Sequence, residues 1–356
     1  MTLKRVENIK RNLEKGEAFL VVAPHNRFYF TGFESTAGVV FITNEAAVLL
    51  IDFRYYEAAK AVVKSCEVVL SDRRDSEILE LCEKYGVKKL YVEADETSIQ
   101  RHKTLSAALS GVEILSDDKF DRITEEMRMI KTEEELELMK KAQKLTDETF
   151  SYILGKIRPG KTEKEIMLDM EMFMRSRGSE GVAFDFIVVS GKNSSLPHGV
   201  PSDKVIEKGD FVTLDFGANV QGYLSDMTRT VAVGSVSDEQ RRVYDIVLRA
   251  QEAALKEVKA GLVCRDVDKI ARDIINGEGY EGCFGHGLGH SVGIKIHENP
   301  RFNTTDTTVL KPGMVMTVEP GIYLENRFGV RIEDYVYVTE NGCINLTHSP
   351  KELIIL

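Results

Sequence analysis

The grain of the sequence changes near Thr124, and no other feature limits the possible folds as much. Before it, short stretches rich in Val, Ile, Leu and Phe (AFLVVA, AGVVFIT, AAVLLID, EVVLS, KKLYVEA) are separated by turn-formers or by the helical patterns FRYYEAAKAVVKS and DSEILELCEKYG. Strands alternating with helices indicate an α/β layer, here residues 1–123. After it, apolar residues recur at helical spacing from Thr124 to Ile157, and Thr162 with Glu165 makes a capping box that opens another helix. Its methionines, Met167, Met170, Met172 and Met174, read as core packing. From Gly181 onward the strands FDFIVVSG, DFVTLDFGA, LSDMTRTVAVG, MVMTVEPGIYL and GVRIEDYVYVTE surround two further helical segments. Helices interleaved with antiparallel hairpins predict an α+β domain over residues 124–356.

Composition narrows the function classes. Hydrophobic residues make up 43% and charged residues 29% of the 356, the balance of a globular enzyme. No apolar run approaches the roughly 20 residues that span a bilayer, and the first residues lack the apolar core and cleavage site of a secretory signal. No membrane partner and a cytoplasmic location are expected. A formal net charge of −10 disfavours nucleic acid as a partner, because an acidic field repels phosphates. Cys66, Cys82, Cys264, Cys283 and Cys343 are odd in number and scattered, which argues against a disulfide framework or a zinc knuckle.

The chemistry concentrates in two hairpins. In FVTLDFGANVQGYLSDMTRT, alternation puts Thr213 and Asp215 on one face of the first strand and Val212, Leu214 and Phe216 on the other. A hairpin closing symmetrically around NVQG sets Asp215 directly across from Asp226, with Cβ atoms roughly 4.5–5.5 Å apart. Like charges so placed force a proton onto one carboxyl unless a cation lies between them. Taken alone, this pair leaves metal binding and solvated surface carboxylates both open, and a bulge would shift the register. In TVEPGIYLENRFGVRIEDY, Glu319 and Glu333 flank a loop symmetric about Asn326, with Arg331 on the face of Glu333 and Ile332 opposite. The charge of both carboxylate pairs together is formally balanced by two divalent cations. FGHGLGHSVGIKIHENP adds His286, His290 and His297. His286 and His290 have the spacing of a helical zinc motif, but no Glu follows His286, and Gly285, Gly287 and Gly289 break any helix. A phosphate-cradling loop is excluded too, since no Lys-Ser or Lys-Thr follows these glycines. One imidazole among carboxylates is an oxygen-rich site that suits Mn, Co or Zn.

The segments TLDFGA, SDMTRT, HGLGH, VEPGIY and VRIED resemble, in order and spacing, the metal-binding segments of the aminopeptidase P and prolidase family, dinuclear metallopeptidases with the pita-bread fold. NRFYFTGF and IDFRYYEAA are similar to N-terminal segments of its proline-specific members. The resemblance implies a pita-bread catalytic domain behind a smaller creatinase/prolidase-like α/β domain. It implies two divalent ions, Mn foremost with Co or Zn as alternatives, held by Asp215, Asp226, His290, Glu319 and Glu333. Asp226 and Glu333 would bridge, Asp215 would hold one ion, and His290 with Glu319 the other. His198 in LPHG and His297 in KIHEN match the two substrate-side histidines, and Arg331 matches an arginine near the site. His286 is expected to be structural. The implied reaction is attack of a metal-bridging hydroxide on an Xaa-Pro bond, Glu319 accepting the water's proton and passing it on. The implied partners are peptides with proline second, and a second copy of the chain in a homodimer. Between the two proline-specific activities the expectation leans to Xaa-Pro aminopeptidase, with Xaa-Pro dipeptidase as the alternative. A non-catalytic peptide-binding module would show broken ligand positions, and all five are intact.

Overall fold

A computed structural model describes residues 1–356. The chain forms two compact units, Met1–Arg128 and Met129–Leu356. In the first, β1 (Glu17–Val21), β2 (Val39–Thr43), β3 (Ala47–Ile51), β4 (Glu67–Leu70), β5 (Lys89–Val92) and β6 (Glu113–Leu115) make one sheet in the order β4-β3-β2-β1-β5-β6. β1, β2 and β3 are antiparallel and the outer pairs parallel. β1, β2 and β3 are buried along their whole length, which explains their near-continuous apolar sequences. Helices α1 (Thr2–Arg11), α2 (Pro24–Thr31), α3 (Phe53–Val62), α4 (Arg74–Lys84), α5 (Ile99–Ala108) and α6 (Lys119–Met129) complete the unit. No helix of the protein is long and apolar enough to cross a membrane.

The run read as continuously helical from Thr124 to Ile157 is broken. It contains the end of α6, then α7 (Glu133–Leu154), so the expected division after residue 123 falls inside a helix. Thr132 restarts the helix: its hydroxyl accepts from Glu135 N and the Glu135 carboxylate accepts from Thr132 N. This T-x-x-E signature is the same one that Thr162–Glu165 carries ahead of α8 (Glu163–Ser176). α7 and α8 press Phe150, Ile153, Met170 and Met174 onto Val188, Val212, Leu214 and Phe216 of the three-stranded sheet formed by β8 (Ile187–Ser190), β9 (Phe211–Phe216) and β12 (Met227–Ala232). Burying each such side chain contributes about 1.5–3 kcal/mol. Met172 departs from the expectation of core packing: it is 70% exposed, because it lies on the helix face opposite Ile166, Met170 and Met174, which pack on the sheet, with Met167 half-buried beside them.

β7 (Gly181–Val182), β8 (Ile187–Ser190), β9 (Phe211–Phe216), β10 (Ala218–Val220), β11 (Tyr223–Leu224) and β12 (Met227–Ala232) precede α9 (Asp238–Glu257) and α10 (Cys264–Gly277). β13 (Gly289–Ser291), β14 (Glu298–Phe302), β15 (Val315–Val318), β16 (Gly321–Leu324), β17 (Phe328–Arg331), β18 (Asp334–Val338) and β19 (Cys343–Asn345) follow. Both acidic hairpins pass from one sheet to another. β9 and β12 lie in one sheet while β10 and β11 lie in a second; β15 and β18 lie in one while β16 and β17 form another.

The register of the first hairpin corrects the expectation. Asp215 pairs with Thr228, not with Asp226. The connection is a two-residue turn, Gln221-Gly222 (φ 51° and 78°), instead of a four-residue loop. Two positive φ values mark the turn whose twist matches its strands, and Gly222 N donates to the Asn219 side chain at 2.9 Å. A shift of two residues keeps every side chain on its face. The second hairpin follows the symmetry about Asn326: Val318 pairs with Asp334 and Gly321 with Arg331, which sets Glu319 across from Glu333.

Candidate metal centre

All four carboxylates sit where their strands change sheets. At the first break the strands nearly touch: a Cβ on Gly217 would lie 1.8 Å from the Ser225 carbonyl oxygen. At the second, Pro320 has no N–H to give a ladder, and the two glutamates donate elsewhere, Glu319 N to Leu288 O (2.8 Å) and Glu333 N to Thr228 O (3.0 Å). The last bond ties the second hairpin to the first.

Carboxylate oxygens of Asp215, Asp226 and Glu333 lie within 4.8 Å of one another, and all three residues are buried. His290 Nε2 is 3.4 Å from Glu319 Oε1 and 3.6 Å from Asp226 Oδ2. Burial, then the charges of Asp215 and Glu319, raises the Asp226 carboxyl well above its ordinary value. Burial and Asp226 do the same to Glu333, and burial with Asp215 lifts Glu319 to about 8. Asp215 Oδ1 and Glu333 Oε1 are buried without any hydrogen-bond partner. An oxygen left so costs about 1–3 kcal/mol. Clustered acids that favour the protonated state, with two lone-pair donors unused, fit a divalent cation. His290 fits as well. Burial, with His297 adding, lowers its pKa to about 3. Its Nδ1 donates to Ser291 O at 3.1 Å, so Nε2 carries the free lone pair.

Arg331 threads this cluster. It donates to Asp215 Oδ2, to Thr228 Oγ1 (3.1 Å), to Tyr323 Oη (2.8 Å) and to Pro197 O (3.1 Å). His286 is engaged at both nitrogens, Nδ1 with Gly287 O and Nε2 with Tyr323 Oη, each at 2.8 Å. His198 and His297 line the cavity above the carboxylates, which has a volume of about 850 Å³, and the His297 ring lies 4.5 Å from that of His290. Behind His297 the buried Glu298 pairs with Lys131 Nζ (3.0 Å) and accepts from Ile294 N and Lys295 N.

Several residues at the cluster escaped the sequence reading. Thr228 Oγ1 donates to Glu333 Oε2 at 2.7 Å. Thr317 Oγ1 donates to Glu319 Oε1 at 3.2 Å and accepts from His290 N at 3.0 Å. Each lies two residues from a candidate ligand, so strand alternation carried the signal. Arg301, also on the cavity wall, pairs with His290 across β13 and β14.

Comparison with known proteins decides the family. Residues 137–340 match the pattern of metallopeptidase family M24, and residues 5–130 that of the creatinase/prolidase N-terminal domain. The chain belongs to family M24. It is a metallopeptidase with the pita-bread fold, of a family that uses divalent metals, and Asp215, Asp226 and Glu333 form a carboxylate cluster that could hold one. An Xaa-Pro dipeptidase from Pyrococcus furiosus is 38% identical, with 99% of each chain covered. The structure of an Xaa-Pro dipeptidase from Bacillus anthracis is similar at a TM-score of 0.95 and 41% identity, with 100% of each chain covered. That of an X-Pro aminopeptidase from Thermotoga maritima is similar at a TM-score of 0.93 and 37% identity, covering 100% of this chain and 99% of that one.

Proposed function

We propose that this M24 chain is an Xaa-Pro dipeptidase that holds two divalent ions, Mn foremost, on Asp215, Asp226, His290, Glu319 and Glu333. The similarity to dipeptidases named as such, over essentially the full length of both chains, carries this reading in place of the aminopeptidase expected from the sequence. A physical reason agrees with it. A dipeptide ends in a carboxylate beside the proline ring, and Arg301 offers a positive charge on the cavity wall next to His290. The bound ions would supply Lewis acidity, making the attacking water more acidic and polarising the scissile carbonyl.

The chain's own residues do the rest. Glu319 Oε1 accepts from Thr317, which leaves Oε2 to take the water's proton. An amide to proline is tertiary, and its nitrogen leaves only after protonation, so Glu319 hands that proton on. His198 and His297 hydrogen-bond the carbonyl oxygen as charge builds on it. Arg331 fixes Asp215 while tying its strand to the His198 loop through Pro197 O.

The Thermotoga maritima likeness supports the second reading, an aminopeptidase on longer peptides. Mn-loaded protein assayed on an Xaa-Pro dipeptide beside an Xaa-Pro-Yaa tripeptide separates the two. The dipeptide is expected to be cut preferentially, and Arg301→Gln is expected to raise KM for it. Equal or better cleavage of the tripeptide would favour the aminopeptidase.

A further inference from the structure

α8 opens on a residue that its cap does not need. Thr162 and Glu165 already close the capping box, Thr162 N to Glu165 Oε2 at 2.8 Å and Glu165 N to Thr162 Oγ1 at 3.2 Å. Glu163, between them, is nevertheless fully buried, and its carboxylate points away from the helix into the neck of a loop. That loop leaves β8 at Ser190, makes a 3-10 turn over Gly191–Ser195, carries Leu196, Pro197, His198, Gly199, Val200 and Pro201, and returns at Ser202. Glu163 joins the two sides. Oε1 accepts from Ser190 N (2.6 Å) and Ser190 Oγ (2.9 Å), and Oε2 from Ser202 N (3.0 Å) and Ser202 Oγ (2.6 Å). Asn193 Nδ2 lies between the oxygens, at 3.1 and 3.3 Å. The nearby Lys204 Nζ turns instead to Ser190 Oγ and Asp210.

A buried carboxylate is expensive unless its lone pairs are filled, and here neutral N–H and O–H donors from both sides of one loop fill them. Glutamine has the same length, yet it would turn an NH2 toward donors on one side. Beyond the neck, the loop touches the second hairpin through Pro197 O with Arg331 and through Ser194 Oγ, which accepts from Gly329 N at 2.9 Å. Farther out, His198 is exposed and Val200 is 80% exposed. The reach of His198 over the cavity is therefore set at the neck together with the Pro197 and Ser194 contacts, and Glu163 is the group that closes the neck.

We propose that Glu163 is a positioning residue for His198, clamping the loop so that the imidazole is held at the scissile carbonyl. This rests on the role given to His198 above. The test is a double-mutant cycle on Mn-loaded protein, with Glu163→Gln, His198→Ala and the double variant compared by kcat/KM, metal content and amide exchange over 190–202. Glu163→Gln is expected to lower kcat/KM by about tenfold to a hundredfold, the cost of a displaced catalytic group. Metal content should stay at the wild-type level, with exchange faster in this loop. In the His198→Ala background the same change should alter kcat/KM by less than about twofold. Losses that multiply in the double variant, or an unchanged rate in Glu163→Gln, overturn the clamp. A role in folding alone would lower Tm and leave the losses multiplicative. Wild-type kcat/KM in His198→Ala would instead overturn the role of His198 itself. If Glu163→Gln does not fold, Ser202→Ala, which removes one donor and keeps the carboxylate, enters the same cycle. It should give a smaller loss, again suppressed by His198→Ala, and no loss would overturn the proposal.

Discussion

The two acidic hairpins reach the same end by different local means. In the first, the candidate ligand positions are staggered: Asp215 faces Thr228, and Asp226 lies beyond, at the close crossing of Gly217 and Ser225. In the second, Glu319 and Glu333 stand across from each other in one register that runs from Val318–Asp334 to Leu324–Phe328. The stagger puts a hydroxyl, Thr228, among the carboxylates, where it bonds both Glu333 and Arg331. Direct opposition leaves the second pair to be separated by partners outside its own ladder. The candidate metal site is thus assembled from a backbone crossing in one half and from a proline break in the other.

The sharpest way to break this comparison is Gly217→Ala against Gly321→Ala. The first places a methyl 1.8 Å from a backbone carbonyl that cannot move aside; the second meets the tip of the Tyr323 side chain at 2.6 Å. Gly217→Ala is expected to lose metal and native near-UV circular dichroism, at a cost above the roughly 1–3 kcal/mol of ordinary overpacking. Gly321→Ala should fold and keep its metal. Equal behaviour of the two would mean that the crossing does not depend on glycine.

Chelation comes next. The Glu319 carboxyl has an ordinary value of 4.5 and stands at about 8 in the fold, raised by burial and Asp215. Its proton is therefore bound more tightly folded than unfolded, and its contribution to stability is full below about 4.5 and lost as pH rises through about 8. Chelator-treated protein should show a falling Tm across that window, and added Mn should reverse the fall. A Tm that stays level or rises would contradict the crowding of these acids.

Thr228→Val should lower metal affinity or activity by about tenfold to a hundredfold, the usual effect of removing a group that orients a ligand. Titration with Mn measures it. Thr317→Val should act on stability instead, costing about 1–3 kcal/mol from the unpaired His290 N–H, and a thermal or denaturant melt would show it.

These contrasts also show what was legible in the sequence. The second hairpin could be paired on paper because nothing interrupts its symmetry about Asn326, and Asn326 takes the positive φ (58°) that its turn requires. The first could not, because QG in a two-residue turn and NVQG in a four-residue loop share one alternation pattern and differ in register by two. The faces therefore came out right while the partners did not. The break at Thr132 was as readable as the cap at Thr162, but helical spacing on both sides masked it. Glu163 left no trace in the sequence. Its partners Ser190, Asn193 and Ser202 lie far along the chain, and a glutamate in a first helical turn needs no special explanation.

The strand breaks carry a mechanical consequence. The ribbon β16–β17 pairs with no strand but itself, and it joins the larger sheet through Glu319-Pro320 on one side and Ile332-Glu333 on the other. Its hinges are thus the residues that would grip the ions. Loading the metal would tie the ribbon to the sheets on either side at both hinges, and removing it is expected to raise amide exchange at Ile322 and Val330 more than at Met316 and Val336.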